Sequence, residues 1–407
     1  AEQDVILASS QNIEQLGQTY SKGTATLAAQ NDIKLSGDYL YGAEVNIAAV
    51  NDVAIESGIY GFENADIAGN NINISEDGEV ISRQDSVGHL SLTAINDITN
   101  KGIIASVSTL NIAGSKVVNE NNLSSSGTLD VGAQDLVNSG VINSDGSLSI
   151  TSGTIDNQGQ LISNNALTIS ATDITSNVIY ANGDLDISSD NLANSGVINS
   201  ENNLSITSGT IDNQGQLISN NALTISATDI TSNVIYANGD VDISSDNLTN
   251  ISVINSGNNL SIESGAIDNQ GQLIANDTLT ISATDITSNV IYANGDVDIS
   301  SDNLTNISVI NSGNNLSIES GAIDNQGQLI ANDTLTISAT DITSDVIYAN
   351  GDLDISSDNL ANSGVINSEN NLSITSGTID NQGQLISNNA LTISATDITS
   401  NVIYANG

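Results

Sequence analysis

Proline, cysteine, methionine and tryptophan are all missing from the 407 residues. Without cysteine there is no disulfide framework and no thiolate metal site. Without proline no backbone N–H is removed, which suits a chain whose amides must nearly all donate to a neighbouring strand. Aromatics make up 2% and hydrophobic residues 38%, so any interior is thin and built from Ile, Leu, Val and Ala. Cations are scarce as well: Lys22, Lys34, Arg83, Lys101 and Lys116 stand against 48 Asp plus Glu, for a formal net charge of −43. Beyond Lys116 nothing can hold a phosphate backbone by charge, which excludes nucleic acid and makes anionic lipid a poor partner. No apolar run is long enough to cross a bilayer as a helix, so this segment is not expected to insert into a membrane. No signal peptide is expected at the head of this segment. Its opening "AEQDVILASS" and its close on "NVIYANG", before a last repeat is complete, lead us to expect an internal fragment of a longer protein.

What is present is repetition, the first property to search for because it decides the fold. The string SGTIDNQGQ or SGAIDNQGQ begins at Ser152, Ser208, Ser264, Ser320 and Ser376, a constant step of 56. Each such unit divides into three pieces of length 18 or 19, for example from Asp212, Thr231 and Thr249. Aligned, they place Leu217, Ile235 and Ile254 in one column; Leu223, Val241 and Leu260 in a second; Ile225, Ile243 and Ile262 in a third; and Ile230, Leu248 and Ile267 in a fourth. Ser219, Ala237 and Ser256 form a column of small residues.

Within a piece the apolar residues alternate, as in Leu223, Ile225 and Ala227, the period of a strand with one buried face. No stretch carries a helical stripe. Short strands joined by Asn and Gly turns, at a period of 18 to 20, describe a coil that closes and stacks on the next. The expected fold class is all-β: a right-handed parallel β-helix, or solenoid, of about 21 coils, making a rod on the order of 100 Å long at about 4.8 Å per coil. A left-handed hexapeptide helix would space its apolar residues evenly, which these columns do not. One coil buries too little to fold alone, so stability is shared along the stack.

Four regions follow. Residues 1–75 hold coils of period about 20, with Ile33 over Val53 and Leu35 over Ile55. Residues 76–89, "EDGEVISRQDSVGH", break the beat and read as a protruding loop or irregular insertion, because the step from Ala65 to Leu90 is 25 where the preceding coils keep to 20. Coils resume over 90–150, and 151–407 carry the near-identical units.

The pattern N-x-G-x-I-x-(S/A)-x-x-x-L-x-I-x-A, as in Asn213 to Ala227, and L-x-A-x-N-D-I in Leu27 to Ile33, resemble the haemagglutinin repeats of filamentous haemagglutinins and contact-dependent growth inhibition effectors. The resemblance implies a right-handed β-helical stalk on the surface of a Gram-negative bacterium, exported by two-partner secretion. Its partners would be the outer-membrane two-partner transporter during export and a target-cell receptor. Neither the family's secretion domain nor a toxin domain is recognisable.

Candidate sites are few. Tyr180, Tyr236, Tyr292, Tyr348 and Tyr404 each follow an inward Ile, so alternation turns them outward beside Ile162, Ile218, Ile274, Ile330 and Ile386 of the neighbouring coil. Such a face is a candidate adhesive surface, and simple shielding of the outer strands is the plainer reading. Aspartate columns invite a calcium ladder, but Asp212 stacks on Thr231 and Thr249, and Asp242 on Thr224 and Ser261. Most acidic columns thus recur every third coil, about 14 Å apart and beyond the roughly 8 Å Debye length, which disperses charge. No metal, cofactor or catalytic residue is expected. The lone His89 reads as solvated, and Asn213 and Asn250 as turn residues and amide ladders.

Three functions compete: a structural stalk, an adhesin segment binding a receptor directly, and a polysaccharide-active enzyme. The last needs paired carboxylates in one groove, and near-identical units argue against it because an active site breaks symmetry. The chain is therefore read as not an enzyme. Regular Thr ranks of an ice-binding face are also missing, since Thr224 neighbours Asp242 and Ser261.

Overall fold

The structure, a computed structural model, describes residues 3–82 and 88–407. All regular structure among them is β-strand, and the strands pair in parallel, as a coil-on-coil stack requires. The chain is a parallel β-solenoid of about 21 turns. It forms two compact units, residues 1–208 and 209–407.

In the first unit a coil is three short strands, for example Thr109–Ala113, Lys116–Asn119 and Asn122–Ser125. Each lies on its counterpart in the next coil, with Leu110 against Leu129, Val117 against Leu136 and Leu123 against Ile142. Alternation explains the interior: Leu110, Ile112, Val117 and Leu123 point in and are buried, while their neighbours face out. The period-20 coils keep the register read from the sequence, Ile33 on Val53 and Leu35 on Ile55.

The irregular stretch over 76–89 is narrower than expected. Glu79–Ser82 is a strand paired with Gly58–Gly69 on one side and Ile103–Ser106 on the other. His89 already begins the strand His89–Ala94, where Leu90 lies on Ala65. Glu76 and Asp77 form a turn before that strand, and residues 83–87 of the expected loop lie outside the described residues.

In the second unit nearly a whole coil runs as one bent strand, such as Val241–Ser256 and Leu260–Ala275. Val241 lies on Leu260, Ile243 on Ile262, Leu248 on Ile267 and Ile254 on Leu273, so the four aliphatic columns are ladders along one interior. The small-residue column is buried too. Ser256 Oγ stands 2.6 Å from the Asn259 carbonyl oxygen and 2.8 Å from that of Gly239, which satisfies a fully buried hydroxyl.

Glycine acts here through space rather than through turn geometry. No described residue, glycine included, has positive φ. Instead the coil corners stack backbone on backbone: a Cβ on Gly271 would run into the Ser252 carbonyl oxygen of the previous coil. That is why the repeated Asp-Asn-Gln-Gly-Gln string keeps its glycine.

Candidate functional site

The tyrosines singled out in the repeats do face outward. Ile179, Ile235, Ile291 and Ile347 before them are buried, while Tyr236 and Tyr292 are 37% and 36% exposed. Tyr180 lies on Ile162, Tyr292 on Ile274, Tyr348 on Ile330 and Tyr404 on Ile386. All five partner candidates, Ile218 included, are half-buried. Each phenol is tied down by the asparagine two residues on: Tyr180, Tyr236, Tyr292, Tyr348 and Tyr404 donate to Oδ1 of Asn182, Asn238, Asn294, Asn350 and Asn406 at 2.7, 2.6, 2.5, 2.7 and 2.5 Å.

On their other side Tyr180, Tyr236, Tyr292 and Tyr348 neighbour an asparagine, Asn199, Asn255, Asn311 and Asn367 in turn. The face is therefore a Tyr–Ile patch that returns every third coil, about 14 Å on, and not an unbroken apolar stripe. Tyr180 and Tyr348 differ from the others in having an acid within reach, Glu201 Oε1 at 3.1 Å and Glu369 Oε1 at 3.3 Å. Both phenols are held above the ordinary tyrosine value, by desolvation first and then by these carboxylates, which disfavour a second negative charge.

The acidic columns follow the register read from the sequence, Asp242 on Thr224 and Ser261, Asp229 on Asn247. Structure adds why the carboxylates sit quietly. Several meet an amide on the next coil: Asn247 Nδ2 donates to Asp229 at 2.7 Å, Asn303 to Asp285 at 2.7 Å, and Asn259 gives both its backbone and side-chain N–H to Asp240 at 3.0 Å. Across columns, however, acids converge. In the second unit Asp246, Glu263, Asp302 and Glu319 line a groove of about 740 Å³ together with Ser245, Ser264 and Ser301. Among the described residues no three His, Cys, Asp or Glu side chains come close enough to hold a metal ion. His89 is half-exposed, with Nε2 4.0 Å from Asp66 Oδ1.

Asn213 and Asn250 are buried rather than turn-exposed. They belong to internal amide ladders in which Asn250 Nδ2 donates to Asn269 Oδ1 at 2.7 Å and Asn269 Nδ2 to Ser288 Oγ at 2.8 Å. The second N–H of each amide goes to a backbone carbonyl, Gln272 at 3.0 Å and Val290 at 2.9 Å.

A second aromatic site lies outside the candidate residues of the repeats. Tyr20, Tyr39, Tyr41 and Tyr60 gather in the first unit around a cleft of about 290 Å³. The signal was there to find, because Tyr20, Tyr41 and Tyr60 follow one another at close to the local coil period.

A parallel solenoid whose outward faces repeat from coil to coil has the architecture of a repeat scaffold. The haemagglutinin repeat family model matches residues 1–37, 85–133, 124–179, 180–235, 234–294, 290–347 and 348–405, and the chain belongs to that family. Haemagglutinin-repeat proteins are structural and adhesin-like rather than enzymatic, and are typically secreted surface proteins. Among curated proteins, and among solved structures, nothing matches the chain.

Proposed function

We propose that this chain is the extracellular stalk of a large secreted protein on the surface of a Gram-negative bacterium, carried out by an outer-membrane two-partner transporter and holding an adhesin or toxin away from the cell. The observation that carries the reading is the interchangeability of the units. Val241–Ser256 and Val297–Ser312 have the same sequence and the same alternation of buried and exposed residues, as do Leu260–Ala275 and Leu316–Ala331. Adding or losing a unit changes reach by about 14 Å and creates no new surface.

A second reading, an adhesin segment that itself grips a target-cell receptor, draws on the exposed Tyr236 and Tyr292 beside half-buried isoleucines. One experiment separates the two. In the intact surface protein, Tyr236→Ala, Tyr292→Ala and Tyr348→Ala are combined, and cell attachment is compared with that of a variant lacking Ser264–Glu319. The stalk reading expects the face variant to attach as well as the parent while the shortened one attaches less. Loss of attachment in the face variant overturns it in favour of direct receptor binding.

A further inference from the structure

The tyrosine cleft in the first unit is unlike anything in the repeats. Tyr20 ends the strand Gln18–Tyr20, Tyr39 and Tyr41 open Tyr39–Ala49, and Tyr60 lies in Gly58–Gly69. The register sets Tyr20 on Tyr41 and Tyr41 on Tyr60, with Gln18 on Tyr39 and Tyr39 on Gly58. Because Leu40 and Ile59 point inward and are buried, all four rings stand on the outer surface of three successive coils.

They are arranged, not merely near. The rings of Tyr20 and Tyr41 stack with centroids 5.1 Å apart and planes 15° from parallel. Tyr60 leans sideways into the space left by Gly58: a Cβ there would meet its Cε2 at 2.5 Å and its Cζ and hydroxyl at 2.7 Å. In this position the Tyr60 hydroxyl donates to Glu79 Oε2 at 2.6 Å. Tyr39 leans the other way, donating to Gln18 Oε1 at 3.1 Å, and Gln18 Nε2 donates to Asp38 Oδ2 at 3.0 Å. The result is a cleft of about 290 Å³ walled, among the described residues, by tyrosines alone.

Two facts narrow the ligand. Carboxylates stand at the rim, Asp38 and Glu79, in a chain of net charge −43, so an anion is repelled. The walls offer ring faces, whose quadrupoles attract positive charge. A primary ammonium would leave its water for walls that cannot replace three strong hydrogen bonds. A quaternary ammonium is weakly hydrated, apolar on its outside and cationic, and so fits both walls and rim. Three of the four tyrosines also fall within residues 38–84, the stretch that the haemagglutinin repeat model leaves unmatched, so the cleft is a feature of this chain beyond its repeat plan.

We propose that the cleft formed by Tyr20, Tyr39, Tyr41 and Tyr60 binds a quaternary ammonium group of the trimethylammonium type, with Glu79 and Asp38 supplying the field that favours a cation. This site is independent of the stalk reading, because none of its residues belongs to the repeated units.

The test uses the full chain, with choline chloride as the probe, followed by calorimetry and by NMR of ring-labelled tyrosine. Choline is expected to bind and to shift tyrosine signals, and its uncharged isostere 3,3-dimethylbutanol is not. Tyr41→Ala is expected to weaken choline binding about tenfold, Tyr41→Phe to change it little, and Glu79→Gln to weaken it about threefold. Thr280→Ala, on an outward position of the second unit, should leave it unchanged, and circular dichroism checks that each variant keeps its β-structure. Phosphatidylcholine vesicles form a second arm: binding to choline and vesicles extends the site to a lipid headgroup, and binding to choline alone assigns it to a free or glycan-borne group. Equal binding of choline and the isostere, undiminished binding by Tyr41→Ala, a preference for a neutral sugar over choline, or no binding of choline overturns the proposal.

Discussion

At the residue scale the interior is held by more than aliphatic packing. Asn269 takes the Asn250 amide on its oxygen and gives its own hydrogens to Ser288 and to the Val290 carbonyl. Asn269→Ala removes a partner from one buried donor and two acceptors, and should cost roughly 1–3 kcal/mol, read as a lower midpoint in urea unfolding; Asp268→Ala, on the outer face, should cost much less. The ladders also show where satisfaction fails. Asn250 and Asn306 each keep a buried Oδ1 with no partner. Asn362 does not, because there the chain reads Asn-Ser-Gly and the Gly364 N–H reaches its oxygen at 3.2 Å.

The outer tyrosines give a second test at this scale. Tyr180 is held above the ordinary value near 10 by desolvation and then by Glu201. The fold thus favours the neutral phenol, so this contribution to stability is intact below pH 10 and is lost as pH climbs through the higher folded value. Glu201→Gln removes the acid but not the desolvation. NMR titration of the Tyr180 ring should therefore show its pKa falling only part of the way back to 10.

At the scale of the coil, what matters is phase. Deleting Ser264–Glu319 joins Glu263 to Ser320 and recreates the same strand, because both sides of the cut carry the same string. That variant should fold and keep its β-sheet circular dichroism. Deleting only Ser264–Gln272 removes half a coil, takes Ile267 and Asn269 away from Leu248 and Asn250, and throws the chain after the cut out of register with the coil before it. It should unfold locally and exchange its amide hydrogens faster around the cut. The glycine corners set the same limit from another side, since stacking at Gly271 leaves no room for a β-carbon.

At the scale of the whole chain, 48 acidic residues against five basic ones would repel one another if like stacked on like. The three-coil repeat separates acids within a column, and cross-coil amides such as Asn247 on Asp229 and Asn303 on Asp285 answer many of them. Column spacing was legible in the sequence; the amide pairing was not, because it depends on which way an outward side chain leans. The groove with Asp246 and Glu263 escaped for a related reason. Those residues sit in different columns, and only the stacking of coil on coil brings them to one groove.

The solenoid and its register were written in the sequence alone. Repetition at one period, with aliphatics in four columns, leaves a single alignment that buries all of them, and Val241 on Leu260 or Ile33 on Val53 follow from it. What the outward residues do together was settled only when coil met coil. Tyr20, Tyr41 and Tyr60 become a cleft because a coil's length brings them into line, and because the empty place at Gly58 lets one ring lie down. Alternation says that a side chain points out; neighbouring coils decide what it then meets.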